Sequence, residues 1–282
     1  MRRIAVFLVL ALAGGVGLAQ SMPNPFDVGL GIRAMGFGGA SIAIAEGTEA
    51  LLSNPAGLGW SRGIRADSSL SSALGLYSVT WVAAAVPNFG GGIAYLGVGG
   101  ITDPKGNPLA FSHFAAVVAA GLDLAGFRMF PFPAAGGVAL KFNRVQVADA
   151  SGSGFALDLG VLGRMNTPLG AVQFGVALRD LGFGMRVGET ADGWSIDFGA
   201  GVALINPLGF ILAADLSSEY TAVGLGWSAF GLFEIRAGLR FQAGVQWALG
   251  FGAQWGTFAL DYALLTHPVL AVSHRFGFGV SF

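Results

Sequence analysis

Three histidines, His113, His267 and His274, are the residues of this chain best suited to proton transfer, and two of them follow a serine. Ser112-His113 and Ser273-His274 could suggest a nucleophile and its base. Adjacent residues in a strand point to opposite faces, so neither pair can form that hydrogen bond. No cysteine is present, which excludes a thiolate metal site and a disulfide framework. No His or carboxylate spacing matches a metal centre. The runs "GFGG" and "GVGG" lack the strand–loop–helix setting of a phosphate cradle. The sequence therefore predicts neither an enzyme nor a metal- or cofactor-dependent protein.

The remaining chemistry is charge. Lys141, Arg179, Arg236, Arg240 and Arg275 stand against Asp158, Asp197, Asp215 and Asp261 at small-residue positions of alternating segments. Charges taken out of water need partners, so ion pairs between strands, or with Arg33 and Glu46 near the N-terminus, are one expectation. A polar constriction that selects what passes through a lumen is the other.

Those charges depend on the elements that carry them. The 282 residues are 54% apolar and 11% charged, with 47 glycines. Average soluble domains carry about 25% charged residues and about 7% glycine. No charge occurs from Ser68 to Thr102 or from Phe241 to Leu260. Glycine, proline and glutamine interrupt both runs too often for a membrane helix. In "QAGVQWALGFGAQWG", Val245, Trp247, Leu249 and Phe251 alternate with Gln246, Ala248, Gly250 and Gly252. That is the period of a strand. The same pattern recurs in "FALDLGVL", "SIDFGAGVAL", "EIRAGLRF" and "TFALDYALL".

A soluble sandwich would turn the bulky faces inward and expose Lys, Glu and Thr. Here the opposite face is mostly Gly and Ala with isolated charges, which suits a crowded interior. The expected fold is all-β, a closed antiparallel transmembrane barrel whose bulky face meets lipid. Alternation and turn signals place strands at 66–74, 76–87, 89–100, 110–124, 133–146, 153–166 and 168–180, then at 193–205, 208–217, 220–229, 232–241, 243–254, 256–265 and 270–282. That makes about fourteen, with twelve possible because the pattern over 66–100 divides more than one way. Only 101–109, 124–134 and 181–193 are long enough to be loops. Trp60, Trp81, Trp194, Trp227, Trp247 and Trp255 are candidates for interfacial girdles, Trp194 and Trp255 foremost.

Residues 1–19 read as a cleaved signal peptide: Arg2 and Arg3, an apolar stretch from Ile4 to Ala13, then Gly17 and Ala19. Their removal leaves 13 basic and 16 acidic residues, a formal charge of −3. That balance gives no footprint for nucleic acid. Residues 65–282 form the barrel. The last strand places Phe276, Phe278, Val280 and Phe282 on one face and ends on an aromatic residue. Such an ending resembles the signal that outer-membrane assembly machinery recognises.

Residues 20–64 fit no barrel pattern. Thr48 is a plausible cap for a short helix with Glu49 in its first turn, and Pro55 should end it at Asn54. "GIRAMGFGGASIAIAEGTEALLSNPAGLGW" resembles the N-terminal signature of PorV/PorQ-type outer-membrane proteins, relatives of the FadL-type long-chain fatty-acid channels. Its distinctive residues are Arg33, Gly36, Gly38 and Gly39 together with Asn54, Pro55, Ala56 and Gly57. The resemblance implies a fourteen-stranded barrel in the outer membrane of a diderm bacterium, with residues 20–64 folded inside as a plug. It also implies a narrow passive channel for small or hydrophobic molecules. The alternative is a non-conducting barrel that anchors or shuttles secreted or envelope proteins, as in type IX secretion. Its partners would be membrane lipid, the assembly machinery, and a hydrophobic small molecule or a protein cargo.

Overall fold

The computed structural model describes residues 25–26, 31–98, 111–127, 130–183, 185–187, 190–192, 196–242 and 244–282. The proposed signal peptide, the 101–109 connection and Trp194 lie outside them. Among the described residues no helix is long and apolar enough to cross a membrane.

The strands are β1 (Arg65–Ala73), β2 (Tyr77–Val86), β3 (Phe89–Val98), β4 (Phe111–Asp123), β5 (Ala134–Val147), β6 (Ala150–Thr167) and β7 (Gly170–Phe183). A small hairpin, β8 (Met185–Val187) and β9 (Thr190–Asp192), follows. The second half contributes β10 (Asp197–Ile205), β11 (Phe210–Ser217), β12 (Thr221–Ala229), β13 (Phe233–Gln242), β14 (Gly244–Trp255), β15 (Phe258–Leu265) and β16 (Ser273–Ser281). Strands β1–β7 and β10–β16 make one closed barrel, each antiparallel to its neighbours. The count is fourteen. β1 closes on β16 from Arg65↔Ser281 to Ser72↔His274, and Ile64 and Phe282 exchange both backbone hydrogen bonds at 2.9 and 2.8 Å. Closure removes every sheet edge, which lipid would otherwise leave unsatisfied.

Side-chain alternation follows this pairing. On β14, Trp247 is 62% exposed and Leu249 55%, while Gln246 and Ala248 are buried. The bulky residues point outward and the small ones into the lumen, the reverse of a soluble protein. The aromatic candidates divide accordingly. Trp227, Trp247 and Trp255 are exposed, but Trp81 is buried and faces inward. On β2 the outward residues are instead Ser78, Thr80, Val82, Ala84 and Val86. Trp60 is half-buried, with the Arg164 guanidinium 4.9 Å from its ring.

The expected loop at 181–193 is more ordered than a loop. β7 continues to Phe183, and β8 and β9 pair beyond it. Val187 is buried against Val145, with Phe111, Val147 and Ala150 packed alongside. Among its described residues the 124–134 connection holds a 3-10 turn at Ala125–Phe127.

Residues 31–60 lie inside the barrel. They form α1 (Ile32–Gly36), a 3-10 turn (Gly47–Glu49), α2 (Ala50–Ser53) and a 3-10 helix (Pro55–Gly59). α1 contacts β13–β16, whereas Pro55–Gly59 contacts β4–β6. Thr48 does not cap α2, which has no side-chain cap; its hydroxyl donates to Asp67 of β1. Glu49 serves a different helix. Its carboxylate accepts the N–H groups of Arg33 and Ala34 at 3.0 and 3.1 Å, capping α1 from fifteen residues downstream.

Candidate functional site

The lumen is built from two kinds of contact between wall and inner segment. The first is backbone against backbone. Gly121, Gly137 and Gly160 sit directly opposite one another across β4, β5 and β6. Pro55–Gly59 lies on this row. A methyl group at Gly121 would come within 2.6 Å of the Gly59 nitrogen and 2.7 Å of the Pro55 oxygen. At Gly137 it would strike the Pro55–Ala56 peptide, and at Gly160 the Asn54 side chain. Gly224 and Gly238, paired across β12 and β13, make the same room for Phe37. Gly36 meets Gly250 of β14, and Gly38, at φ 71°, lies against the Leu239 backbone. Gly39, at φ 103°, faces the Tyr220 ring. Gly57 has no room for a side chain beside Ala45.

Asn54 joins the inner segment to the wall at this row. Fully buried and extended at φ −158°, it caps the 3-10 helix by accepting the Ala56 N–H at 3.2 Å. Its amide nitrogen donates to the carbonyls of Ile42 and of Val161 in β6, each at 3.2 Å. Pro55 then supplies a first helical residue that needs no hydrogen-bond acceptor. Leu51 and Leu58 are wholly buried among Val79, Trp81, Leu96 and Ala115 of the wall.

The second kind of contact is polar. Asp215 of β11 accepts the Ser41 and Ile42 N–H groups at 2.7 and 2.8 Å. Arg275 of β16 donates to the Gly31 carbonyl at 3.2 Å. Arg33 pairs with Glu234 of β13 at 3.1 Å and lies 5.5 Å from the Phe37 ring centre. Burial opposes the Arg33 charge, but Glu234, Glu46 and Glu49 outweigh it and hold the guanidinium above its ordinary pKa. Burial raises the Glu49 carboxyl, against the opposing pull of the Ala34 and Arg33 N–H groups.

The other wall charges pair among themselves. Lys141 is buried between Asp158 at 2.8 Å and Asp180 at 3.0 Å. Arg179 pairs with Asp197, which also accepts the Ser218 hydroxyl at 2.6 Å. Arg236 pairs with Asp261 and stands 3.5 Å from Glu234. The Arg240 guanidinium stacks 3.9 Å from the centre of the Tyr220 ring.

All nine charges singled out in the sequence thus occupy the lumen side, and Lys141 with Asp158, Arg179 with Asp197, and Arg236 with Asp261 meet directly. Asp180, Glu234 and Asp67 complete the network without having been singled out. Asp180 could not be found by alternation, since Arg179 precedes it and both turn inward. A bulge permits this: Leu157↔Leu181 and Leu159↔Leu178 leave Asp158 opposite two residues, and Asp180 adopts φ 58°. Its N–H donates to Asp158 at 2.9 Å.

Outside the lumen, Phe276, Phe278 and Phe282 are exposed and Val280 is half-buried on β16 and its end. His113 is buried with Nε2 3.0 Å from the Asn143 side-chain Oδ1, and Ser112 turns to the other face. His274 points outward to Tyr262, while Ser273 points inward.

On the side where β1 begins and β16 ends, the inner segment leaves a cavity of about 310 Å³. Arg33, Arg65 and Arg236 line it with Glu46, Glu49, Asp67, Glu234 and Asp261, an excess of two carboxylates. Trp81, Leu52 and Ile44 form its apolar side.

These features define a class: a closed fourteen-strand barrel with an apolar exterior and a glycine-lined, ion-paired lumen occupied by its own N-terminal segment. Solved structures share the fold. The chain is similar to the CymD monoaromatic hydrocarbon channel, with TM-score 0.65 and 11% identity over 90% of this chain and 98% of that one. It is also similar to the Pseudomonas putida toluene transporter TodX, with TM-score 0.54 and 13% identity over 88% and 96%. A deltaS2S3 mutant of TodX gives TM-score 0.56 and 11% identity over 89% and 97%. No family model matches the chain, and no curated protein sequence matches it.

Proposed function

We propose that this protein is an outer-membrane barrel acting as a narrow passive channel for small hydrophobic molecules, plugged by residues 20–64. The observation that carries this reading is a lumen filled by the chain's own segment inside a wall whose bulky residues face outward. The structural likeness to a toluene transporter and a monoaromatic hydrocarbon channel supports single-ring hydrocarbons as the substrate class. Export by a cleaved signal at 1–19 brings the chain to the outer membrane of a diderm bacterium. The test is uptake of radiolabelled toluene by a diderm host that lacks its own uptake channel. Cells making the protein should accumulate toluene faster than vector controls, and equal rates refute the channel.

The close fit of Pro55–Gly59 on the glycine row favours a second reading, a closed barrel of PorV/PorQ type that anchors or shuttles a secreted or envelope protein. Equal uptake rates, together with a stoichiometric protein partner retained through purification, would select it.

A further inference from the structure

The barrel wall is uneven. β4–β7 have 13, 14, 18 and 14 residues, whereas β10–β13 have 9, 8, 9 and 10. At ~3.3 Å per residue and a tilt of about 40°, β6 rises roughly 45 Å and β11 only about 20 Å. The apolar band of a membrane barrel is about 25 Å tall.

On the tall side the outward residues mark that band. Phe155, Leu157, Leu159, Val161 and Met165 of β6 are apolar, and ten residues of strand correspond to about 25 Å. Above them the outward residues become Ser151 and Ser153, beside exposed Arg144 and Gln146 of β5. The outward residues of β11 are apolar along its whole length: Phe210, Leu212, Ala214 and Leu216. The short side has no height to spare.

Four connections at the end bearing Phe282 carry exposed apolar residues, as does the β15–β16 connection at the other end, where Val269 is 86% exposed. Leu169 between β6 and β7 is 67% exposed, Leu208 between β10 and β11 75%, Phe230 between β12 and β13 93%, and Trp255 at the end of β14 87%. The intervening residues 168–169, 206–209, 230–232 and 256–257 include no charge. Phe230 even adopts φ 54°, a region that favours glycine, with its ring wholly outside the protein. At the other end of β11 the turn is Ser218-Glu219-Tyr220.

We propose that the turns joining β10–β11 and β12–β13 at this end are sunk in the interfacial layer of the surrounding bilayer. There Leu208 and Phe230 supply the lipid contact that the short strands do not reach. The lipid leaflet is drawn toward the midplane along β10–β13. This rests on the membrane reading above and specifies where the bilayer meets the short wall.

The chain has no native cysteine, so single spin labels can be placed without background. Leu208→Cys, Phe230→Cys, Glu219→Cys and, as a mid-strand reference, Leu212→Cys are folded into phosphatidylethanolamine–phosphatidylglycerol vesicles and checked by the heat-dependent shift in electrophoresis. The ratio of oxygen to nickel-chelate collision rates is then measured. For labels ~5–10 Å inside the boundary, positions 208 and 230 should exceed 219 by roughly threefold or more. Ratios at 208 and 230 equal to that at 219 overturn the proposal. So does protection from both reagents, which would mean burial in protein. If Leu212→Cys also reads as aqueous, the membrane reading itself falls; if it reads as lipid-exposed while 208 and 230 do not, only this inference falls.

Discussion

Gly121→Ala tests the docking of the inner segment with a single methyl group. The added carbon would lie 2.6 Å from the Gly59 nitrogen, 2.7 Å from the Pro55 oxygen and 2.9 Å from the Leu58 Cβ. Ordinary contact requires about 3.4–4 Å, so the 3-10 helix must retreat by roughly 1 Å. The obstruction is backbone, which no rotamer change relieves. Overpacking of this kind costs about 1–3 kcal/mol. Because the wall strand keeps its ladder, that energy falls on the docking of residues 54–59, multiplying undocked forms by roughly 5- to 150-fold. Gly126→Ala is the control, since nothing lies within 4 Å of a methyl there. The assay is leakage of a small polar dye from proteoliposomes, with barrel integrity followed by the heat-dependent shift. Gly121→Ala should leak faster than wild type, and Gly126→Ala should match wild type. Equal leakage from the two variants, with both barrels intact, would refute the claim that glycine here exists to admit the inner segment.

Two further outcomes follow from buried polar groups. Asn54→Ala removes a helix cap and leaves the Ile42 and Val161 carbonyls without this donor, a loss of about 2–4 kcal/mol in segment docking. Hydrogen exchange over residues 54–60 should accelerate while the strands stay protected; an unchanged rate contradicts it. Lys141→Met leaves Asp158 and Asp180 facing each other without a cation, which should destabilise the barrel by about 3–5 kcal/mol, read as a lowered urea midpoint. Adding Asp158→Asn and Asp180→Asn should recover much of it, and no recovery would mean that Lys141 acts through packing alone.

The barrel was legible because its signal is local. The alternation in "GVQWALGFGAQW" is complete within one strand, and lipid and lumen impose opposite preferences on its two faces. Trp81 shows where that signal weakens. Ser78, Thr80 and Ala84 share the outward face of β2, so bulk no longer marks the lipid side. The inner segment was legible mainly as a departure from the pattern. α1 depends on a carboxylate fifteen residues away, and no residue within Ile32–Gly36 announces that cap. The glycine content of β4–β6 was visible, but its partner lies 62 to 106 residues distant in sequence. Asp180 was hidden because a bulge breaks the parity on which every inward assignment rests.

The two kinds of docking contact differ in how they can be undone. Where Asp215 accepts the Ser41 and Ile42 N–H groups, and where Glu234 meets Arg33, water can replace either partner. The net loss per hydrogen bond is then only about 0.5–1.5 kcal/mol, rising toward 3 where a charge takes part. On the glycine row no solvent can substitute for contact between backbones, and withdrawing Leu51 and Leu58 would expose side chains that are wholly buried. The strands on which the row lies also include the longest in the barrel, so their ladders hold a wall that contributes few side chains of its own. Residues 31–44 combine both kinds: Asp215, Glu234 and Arg275 hold them through polar groups, while Gly36, Phe37 and Gly38 pack against Gly250, Gly224, Gly238 and the Leu239 backbone. Residues 54–59 do the same, with Asn54 as their polar tie to β6, so releasing either half must break close backbone contact as well as hydrogen bonds.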